Sequence, residues 1–311
     1  MKKFLLVMPV FLISCGLTSE RRSQPSPSIV QKNVSYTARP YADSPLRKRI
    51  LVLPFIDEKV SRSSAVTNSA REAVIRQLSK TQSFVIVRNS DLPQDPGKFL
   101  NENREYDLEK IAPIASSLGI SAIIEGKVLE VKAKRIGDQV GLFREVKAKV
   151  ETKVRLRIMA ARNGRIILED VRSGSVEAST TRVAEYSFSD RYLEEDPKLI
   201  RLSIHQAFNG TISNVVRAID KISWQGLVAL VSGERVFINA GRLSGIQIGD
   251  ILKVTEEGEE VFDPDTGTFL GKAPGRMKGT VEVVSYFGKD GAICLVHSGS
   301  GFKENDQVEL Y

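Results

Sequence analysis

The sequence predicts a mixed α/β (α+β) domain, with a mixed sheet and flanking helices, followed by a small all-β barrel-like domain. Three observations carry that expectation. Short continuous apolar runs alternate with helical periodicity between residues 49 and 222, a strict two-residue alternation fills residues 146–158, and after Trp224 short apolar strands are spaced by glycine-rich turns. The 311 residues suffice for about two domains, each with its own core. With 41% hydrophobic and 27% charged residues and only two cysteines, the chain is globular, not a disulfide scaffold or a collagen-like fibre. Its formal charge of +7 is mild for this length and acidic residues are interspersed, so no nucleic-acid partner is expected.

The N-terminus opens with Met1-Lys2-Lys3, runs through apolar residues 4–13 and reaches Leu12-Ile13-Ser14-Cys15, the layout of a secretory signal. The apolar run is shorter than the ~20 residues a membrane-crossing helix needs. Leu-Ile-Ser-Cys resembles a bacterial lipobox, which implies removal of residues 1–14 and acylation of Cys15 as the new N-terminus. Gly16 in place of Asp after that cysteine implies the periplasmic face of the outer membrane, with the membrane itself as a partner through the lipid. Removing Lys2 and Lys3 leaves 43 basic against 38 acidic residues, or +5, so lipid and not charge would be the anchor. Cys294 then has no disulfide partner and sits in the apolar run 292–296, as a buried strand residue would. Residues 15–48 are expected to form the acylated cysteine and a polar tether containing Gln24-Pro25-Ser26-Pro27-Ser28, whose thirty-odd residues give an r.m.s. reach of roughly 30 Å.

From Arg49 the elements follow in order. Residues 50–56 form an apolar run ending at Asp57, as a strand buried on both faces reads. Val66, Ala70, Ala73, Val74 and Leu78 have helical spacing over residues 64–80, and 84–87 is a second strand. Residues 107–118 offer a further helix closed by Gly119, bent or delayed by Pro113, and 121–128 a third strand. Residues 146–158 alternate between a Val/Leu/Ile face and a Lys/Arg/Glu face, and Asn163-Gly164 turns the chain back into residues 166–168 as an antiparallel hairpin. Asp196-Pro197 supplies N-cap and first position of one long helix with its apolar stripe from Ile204 to Ile222. Beyond Trp224, residues 226–231, 235–238, 250–254, 279–283 and 292–296 read as barrel strands, and residues 245–254 are faintly repeated at 301–310.

The order of these elements over residues 49–222, with Val87-Arg88-Asn89-Ser90-Asp91-Leu92, the run 118–128 and Asn163-Gly164-Arg165-Ile166, resembles the domain shared by CsgG-type curli secretion lipoproteins, the TolB N-terminal domain and LpoB-type activators of peptidoglycan synthases. The tail, with Asn239-Ala240-Gly241 and Asp263-Pro264-Asp265-Thr266-Gly267, is similar to the C-terminal domain of the flagellar ring protein FlgT. Domain boundaries of 49–224 and 225–311 follow. The resemblance implies protein partners in an envelope machine and a homo-oligomeric ring.

Catalytic signals are sparse, and no catalytic residue, metal ligand or cofactor is expected. His205 flanks a helical apolar stripe and His297 is placed at a turn after a strand, each without a nucleophile or metal partner at a telling spacing. Gly267 to Ala273 departs from a phosphate loop by one residue of spacing and by Ala after Lys272, and residues 263–267 lack calcium-loop ligands, so a hairpin turn is expected there. The leading expectation is therefore a non-enzymatic scaffold or ring subunit of a flagellar basal body or secretion apparatus, with the barrel's loops and edges as a second contact surface. A CsgG-type pore would need membrane strands of ~9–11 residues from the segments 131–146 and 172–196. Both carry several charges, although long strands on either side of Gly137-Asp138 would satisfy the requirement. An LpoB-like synthase activator is the further alternative.

Overall fold

A computed structural model of the chain describes residues 46–137, 145–181, 196–265, 267, 269–273 and 275–311. It is mixed α+β: a six-stranded mixed sheet with helices on both faces, and a separate closed six-stranded barrel. Leu46 and Arg47, inside the stretch expected to be tether, already engage the barrel. Leu46 packs against its core, and the Arg47 amide donates to the Ser244 carbonyl at 2.9 Å.

Strand β1 (Lys48–Val52) is central and buried, but the expected single run to Asp57 is broken. Pro54 lacks the N–H a ladder needs, so pairing resumes only at β2 (Ile56–Asp57). Helix α1 (Ser64–Lys80) starts where the Ser63 hydroxyl accepts from the Ala65 amide, and it buries Val66, Ala70, Val74 and Leu78. After β3 (Phe84–Val87) comes α2 (Leu108–Ser117), capped by the Asp107 carboxylate. Pro113 neither delays nor ends α2, and Gly119, at φ +70°, turns the chain out of it.

The next three strands exceed their sequence expectations. They are β4 (Ala122–Gly137), β5 (Glu145–Ala160) and β6 (Arg165–Thr181), so residues 132–137 and 172–181 continue regular strands. The tips that the alternative pore would send into a membrane, 138–144 and 182–195, lie outside the described residues. The Asn163-Gly164 turn is present, with Gly164 at φ +62°. The sheet order is β3-β1-β4-β5-β6, with β3, β1 and β4 parallel, β4 to β6 antiparallel, and β2 pairing with β4. A bulge between Val128 and Glu130 inserts Leu129 and shifts the parity of β4. Val131 and Ala133 thereby share the helix-covered face with Val128, while Glu130, Lys132 and Lys134 take the opposite one.

The expected long helix from Pro197 is two: α3 (Pro197–Asn209) and α4 (Ile212–Asp220). Gly210 is a poor helix former, and buried Thr211 directs both its amide and its hydroxyl onto the Phe208 carbonyl, so the axis breaks there. The Asp196 cap is as expected, accepting from Lys198 and Leu199 amides. Helices α1, α3 and α4 cover one sheet face, where Ile204, Phe208, Val215 and Ile219 join Val154, Leu156 and Ile158. Gly174 lets α3 seat directly on β6, since a Cβ there would stand 2.4 Å from the Ala207 nitrogen. Helix α2 covers the other face over Leu51, Ile123 and Met159.

The barrel comprises β7 (Gly226–Ser232), β8 (Arg235–Ile238), β9 (Ile251–Thr255), β12 (Met277–Phe287), β13 (Gly291–Gly299) and β14 (Gln307–Leu310). Between β9 and β12 a separate hairpin, β10 (Glu260–Phe262) and β11 (Phe269–Lys272), stands off it. The order β12-β13-β8-β7-β14-β9 closes on itself, so the edges expected as contact surfaces are paired. The faint repeat is structural. Gly245 and Gly301 are both at positive φ, as are Gly249 and Asn305. The Asp250 carboxylate accepts from the Gln247 amide as Asp306 does from Lys303, and the like strands β9 and β14 then pair antiparallel. The core holds Val228, Val236, Ile238, Leu252, Val281, Cys294 and Val308, closed at the junction with α4 by Trp224.

Candidate interdomain cleft

The two domains meet along a joint built on Asn239. Its carbonyl accepts from Arg49 Nη1 at 2.9 Å, its Oδ1 accepts from the Leu227 amide at 2.8 Å, and its side chain lies over Gly119 so closely that a Cβ there would be 2.5 Å from Nδ2. Asp290 braces the same corner by accepting from the Gly241 and Ser244 amides and the Ser244 hydroxyl. Of these, the Arg49 bond ties β1 to the barrel, and the close approach of Asn239 to Gly119 seats the α2 exit against it.

Beside the joint opens a cleft of about 750 Å³. One wall is the β5–β6 turn with the start of β6, the terminal strand of the sheet, carrying Arg162, Asn163, Arg165 and Ile166. Helix α4 adds Asn214 and Arg217, and Lys221 and Ser223 follow it, while the barrel contributes Gln225, Leu227, Gln307 and Glu309. Arg162 reaches across at 3.7 Å to Glu309, which also receives Lys253 at 3.0 Å and a hydrogen bond from Gln225. Burial alone would raise the Glu309 carboxyl, but the hydrogen bonds from Lys253 and Gln225 and the nearby Arg162 hold it below the usual range. The single acidic lining residue is thus already neutralised. Arg165, Arg217 and Lys221 are exposed, with no ion pair or hydrogen bond from their side chains among the described residues. Gln307 is 7% exposed and its buried Oε1 has no partner.

A second charged cluster lies on the sheet face that α2 leaves open. Glu125, 1% exposed, accepts from the Tyr106 amide and from Arg157, while Glu105 receives Arg155 at 2.6 Å and Lys127 at 3.5 Å. Burial alone would raise the Glu105 carboxyl, yet Arg155, Arg157 and Lys127 together depress it. Every member is paired, so the cluster holds β4, β5 and the loop before α2 together and offers no free acid or base. Farther out, Glu130 pairs with Lys132 and Lys149 with Glu177 on the same face.

The residues singled out from sequence are scattered. Cys15 and the tether up to residue 45 lie outside the described residues. Cys294 is fully buried in β13, where burial pushes its thiol up to about 12. His205 lies 3.2 Å from the Ser69 hydroxyl, and burial, then Arg76 and Arg201, pull its imidazole below the usual value. His297 is within β13 and not in the turn after it, because β13 runs on to Gly299; its Nδ1 is 2.9 Å from the Thr280 hydroxyl. Asp263, Asp265 and Gly267 make the β10–β11 turn, with the Gly267 amide donating to the Asp263 carbonyl, and Lys272 ends β11 where a phosphate loop would lead into a helix. Among the described residues there is no group of three potential metal ligands, and no helix is long and apolar enough to cross a membrane. The cleft was not anticipated. Its side chains come from segments far apart in the chain, and the four-residue spacing of Arg217 and Lys221 is the one local signal that could have pointed to it.

No protein-family model and no curated protein matches the chain. Solved structures similar to it include a hypothetical protein from Chlamydia trachomatis, at 14% identity over 56% of this chain and 98% of that one, with a TM-score of 0.34. Lipoprotein GNA1162 from Neisseria meningitidis is 16% identical over 56% and 98%, with a TM-score of 0.28. The LpoB C-terminal domain from Salmonella enterica is 14% identical over 45% and 87%, with a TM-score of 0.26.

Proposed function

We propose that the protein is a non-enzymatic lipoprotein held by acylated Cys15 at the periplasmic face of the outer membrane, where it serves as a scaffold or ring subunit of an envelope assembly such as a flagellar basal body or secretion apparatus. The observation that carries this reading is Leu12-Ile13-Ser14-Cys15 at the end of the apolar N-terminal run, ahead of a polar stretch that leads into two packed domains. The joint at Asn239 supports it, because a scaffold must transmit position from its anchor to its contacts. The open cleft gives such a scaffold a surface to offer. Metabolic labelling with a palmitate analogue, with Cys15→Ser as comparison, tests the anchor. Label on the wild type alone, in the outer-membrane fraction, is expected, and an unlabelled wild type overturns it. Imaging the detergent-extracted protein tests the assembly: rings with no strands across the detergent belt are expected, and monomers overturn the ring.

One observation favours a pore instead. Strands β4, β5 and β6 are 16, 16 and 17 residues long, and as far as their side chains are described they keep an apolar face with Val131, Ala133, Val150 and Val176 opposite a charged one. Strands crossing the detergent belt in the same images would decide for it.

A further inference from the structure

We infer that the interdomain cleft binds a short acidic peptide segment of a partner protein. The inference rests on the scaffold reading and names the chemistry of its partner. Its volume of about 750 Å³ falls within the ~300–1,000 Å³ of sites that enclose a small ligand or a few residues, too little for a globular surface.

Charge sets the first requirement. Arg162, Arg165, Arg217 and Lys221 line the cleft against Glu309 alone, and Glu309 is engaged by Lys253, Gln225 and Arg162. Arg165, Arg217 and Lys221 therefore present uncommitted positive charge. Arg217 and Lys221 lie one helical turn apart, so they point the same way and suit successive carboxylates along an extended chain.

Hydrogen bonding sets the second. Gln307 lines the cleft and carries a buried Oε1 with no donor, a state that costs stability until a turn of the side chain brings a donor from the cleft within reach. An N–H satisfies it, and a peptide carries one at nearly every residue. Asn163, Asn214 and Gln225 on the walls are already bonded to the Arg165 amide, Asp170 and Glu309, and Ile166, 48% exposed, supplies an apolar contact for a side chain between the acidic ones. An acidic peptide meets the charge and the donor requirement together.

The test uses the acylated full chain in mild detergent and a fluorescein-labelled decapeptide of alternating Glu and Val, read by anisotropy. The Glu peptide is expected to bind, its Gln-for-Glu counterpart about tenfold more weakly, and the doubly substituted Arg217→Ser/Lys221→Ser chain about tenfold more weakly than wild type, with affinity falling as salt rises. Both substituted positions are exposed on α4 or just beyond it, and an unchanged circular dichroism spectrum confirms the fold. Saturation with neither peptide, equal binding of both, or an unaffected double variant overturns the inference. Displacement of the Glu peptide by millimolar phosphate overturns it in favour of a compact anion site. Running Cys15→Ser in parallel separates the two ideas, because loss of acylation sinks the anchor while peptide binding is read independently.

Discussion

Substituting Gly174→Ala tests whether α3 is seated on β6 as closely as described. A Cβ at this position would meet the Ala207 nitrogen at 2.4 Å and the Ser203 carbonyl oxygen at 2.6 Å, both backbone atoms that cannot rotate aside. Ordinary contact needs about 3.5 Å, so α3 must withdraw by about 1 Å. That movement stretches the 2.6 Å hydrogen bond between the Thr152 and Ser203 hydroxyls and opens the packing of Ile204 and Phe208, each no more than 1% exposed. Overpacking of this kind costs about 1–3 kcal/mol, and the stiffer unfolded chain of Ala returns about 0.4–1, leaving a net loss of about 1–2 kcal/mol. At a urea dependence of about 2 kcal/mol per molar, the midpoint followed by circular dichroism should fall by about 0.5–1 M, with faster amide exchange confined to α3 and its strand contacts. A midpoint at or above wild type would refute the close approach of helix and strand.

Other outcomes follow from the charged and buried groups. Arg157→Leu strands the Glu125 carboxylate in a site 1% exposed and should cost about 3–5 kcal/mol in a urea melt, whereas adding Glu125→Leu should recover much of that loss. Glu105 is held below its usual value in the fold, so its contribution is complete above the unfolded value near ~4.3 and is lost as pH falls through the lower folded one. Glu105→Gln should therefore flatten that acid limb of stability. His205 is likewise depressed, favouring the neutral ring; stability should be full above about pH 6.5 and decline as pH drops through the folded value, and His205→Gln should remove that step. Cys294 should resist a thiol-disulfide reagent in the native protein near pH ~8 and react at once in denaturant.

Local signals read well from the sequence where one physical cause dominates. The Asp196-Pro197 start, the Asn163-Gly164 turn, the apolar stripe of α1 and the burial of Cys294 each depend on a cap, a turn residue or a periodicity that neighbouring residues determine. Interruptions read poorly. The break at Gly210-Thr211 hides inside an unbroken apolar stripe, because Ile212, Val215 and Ile219 keep helical spacing across it. The bulge at Leu129 moves the inward-facing positions of β4 from even to odd numbers, which made residues 132–137 resemble an insert instead of a strand. A barrel was legible from the short strands and glycine turns, but the pairings that close it were not: those of β14 with β7 and β9 join residues about eighty and fifty positions apart, and no local pattern encodes them. The cleft depends on that closure and on the Asn239 joint, so its basic rim could be recognised only once both domains were in place.

Trp224 is the only tryptophan in the chain, and it is 8% exposed among barrel side chains at the point where α4 hands over to β7. Its indole therefore works as a natural optical label for one domain alone. Intrinsic emission excited at the red edge of the band will follow opening of the barrel and remain largely blind to melting of the sheet, while far-ultraviolet dichroism, dominated by the helices, reports mostly on the other half. Whether the two signals move together in a denaturant titration measures, without any added probe, how strongly the Asn239 joint couples the folding of the two domains.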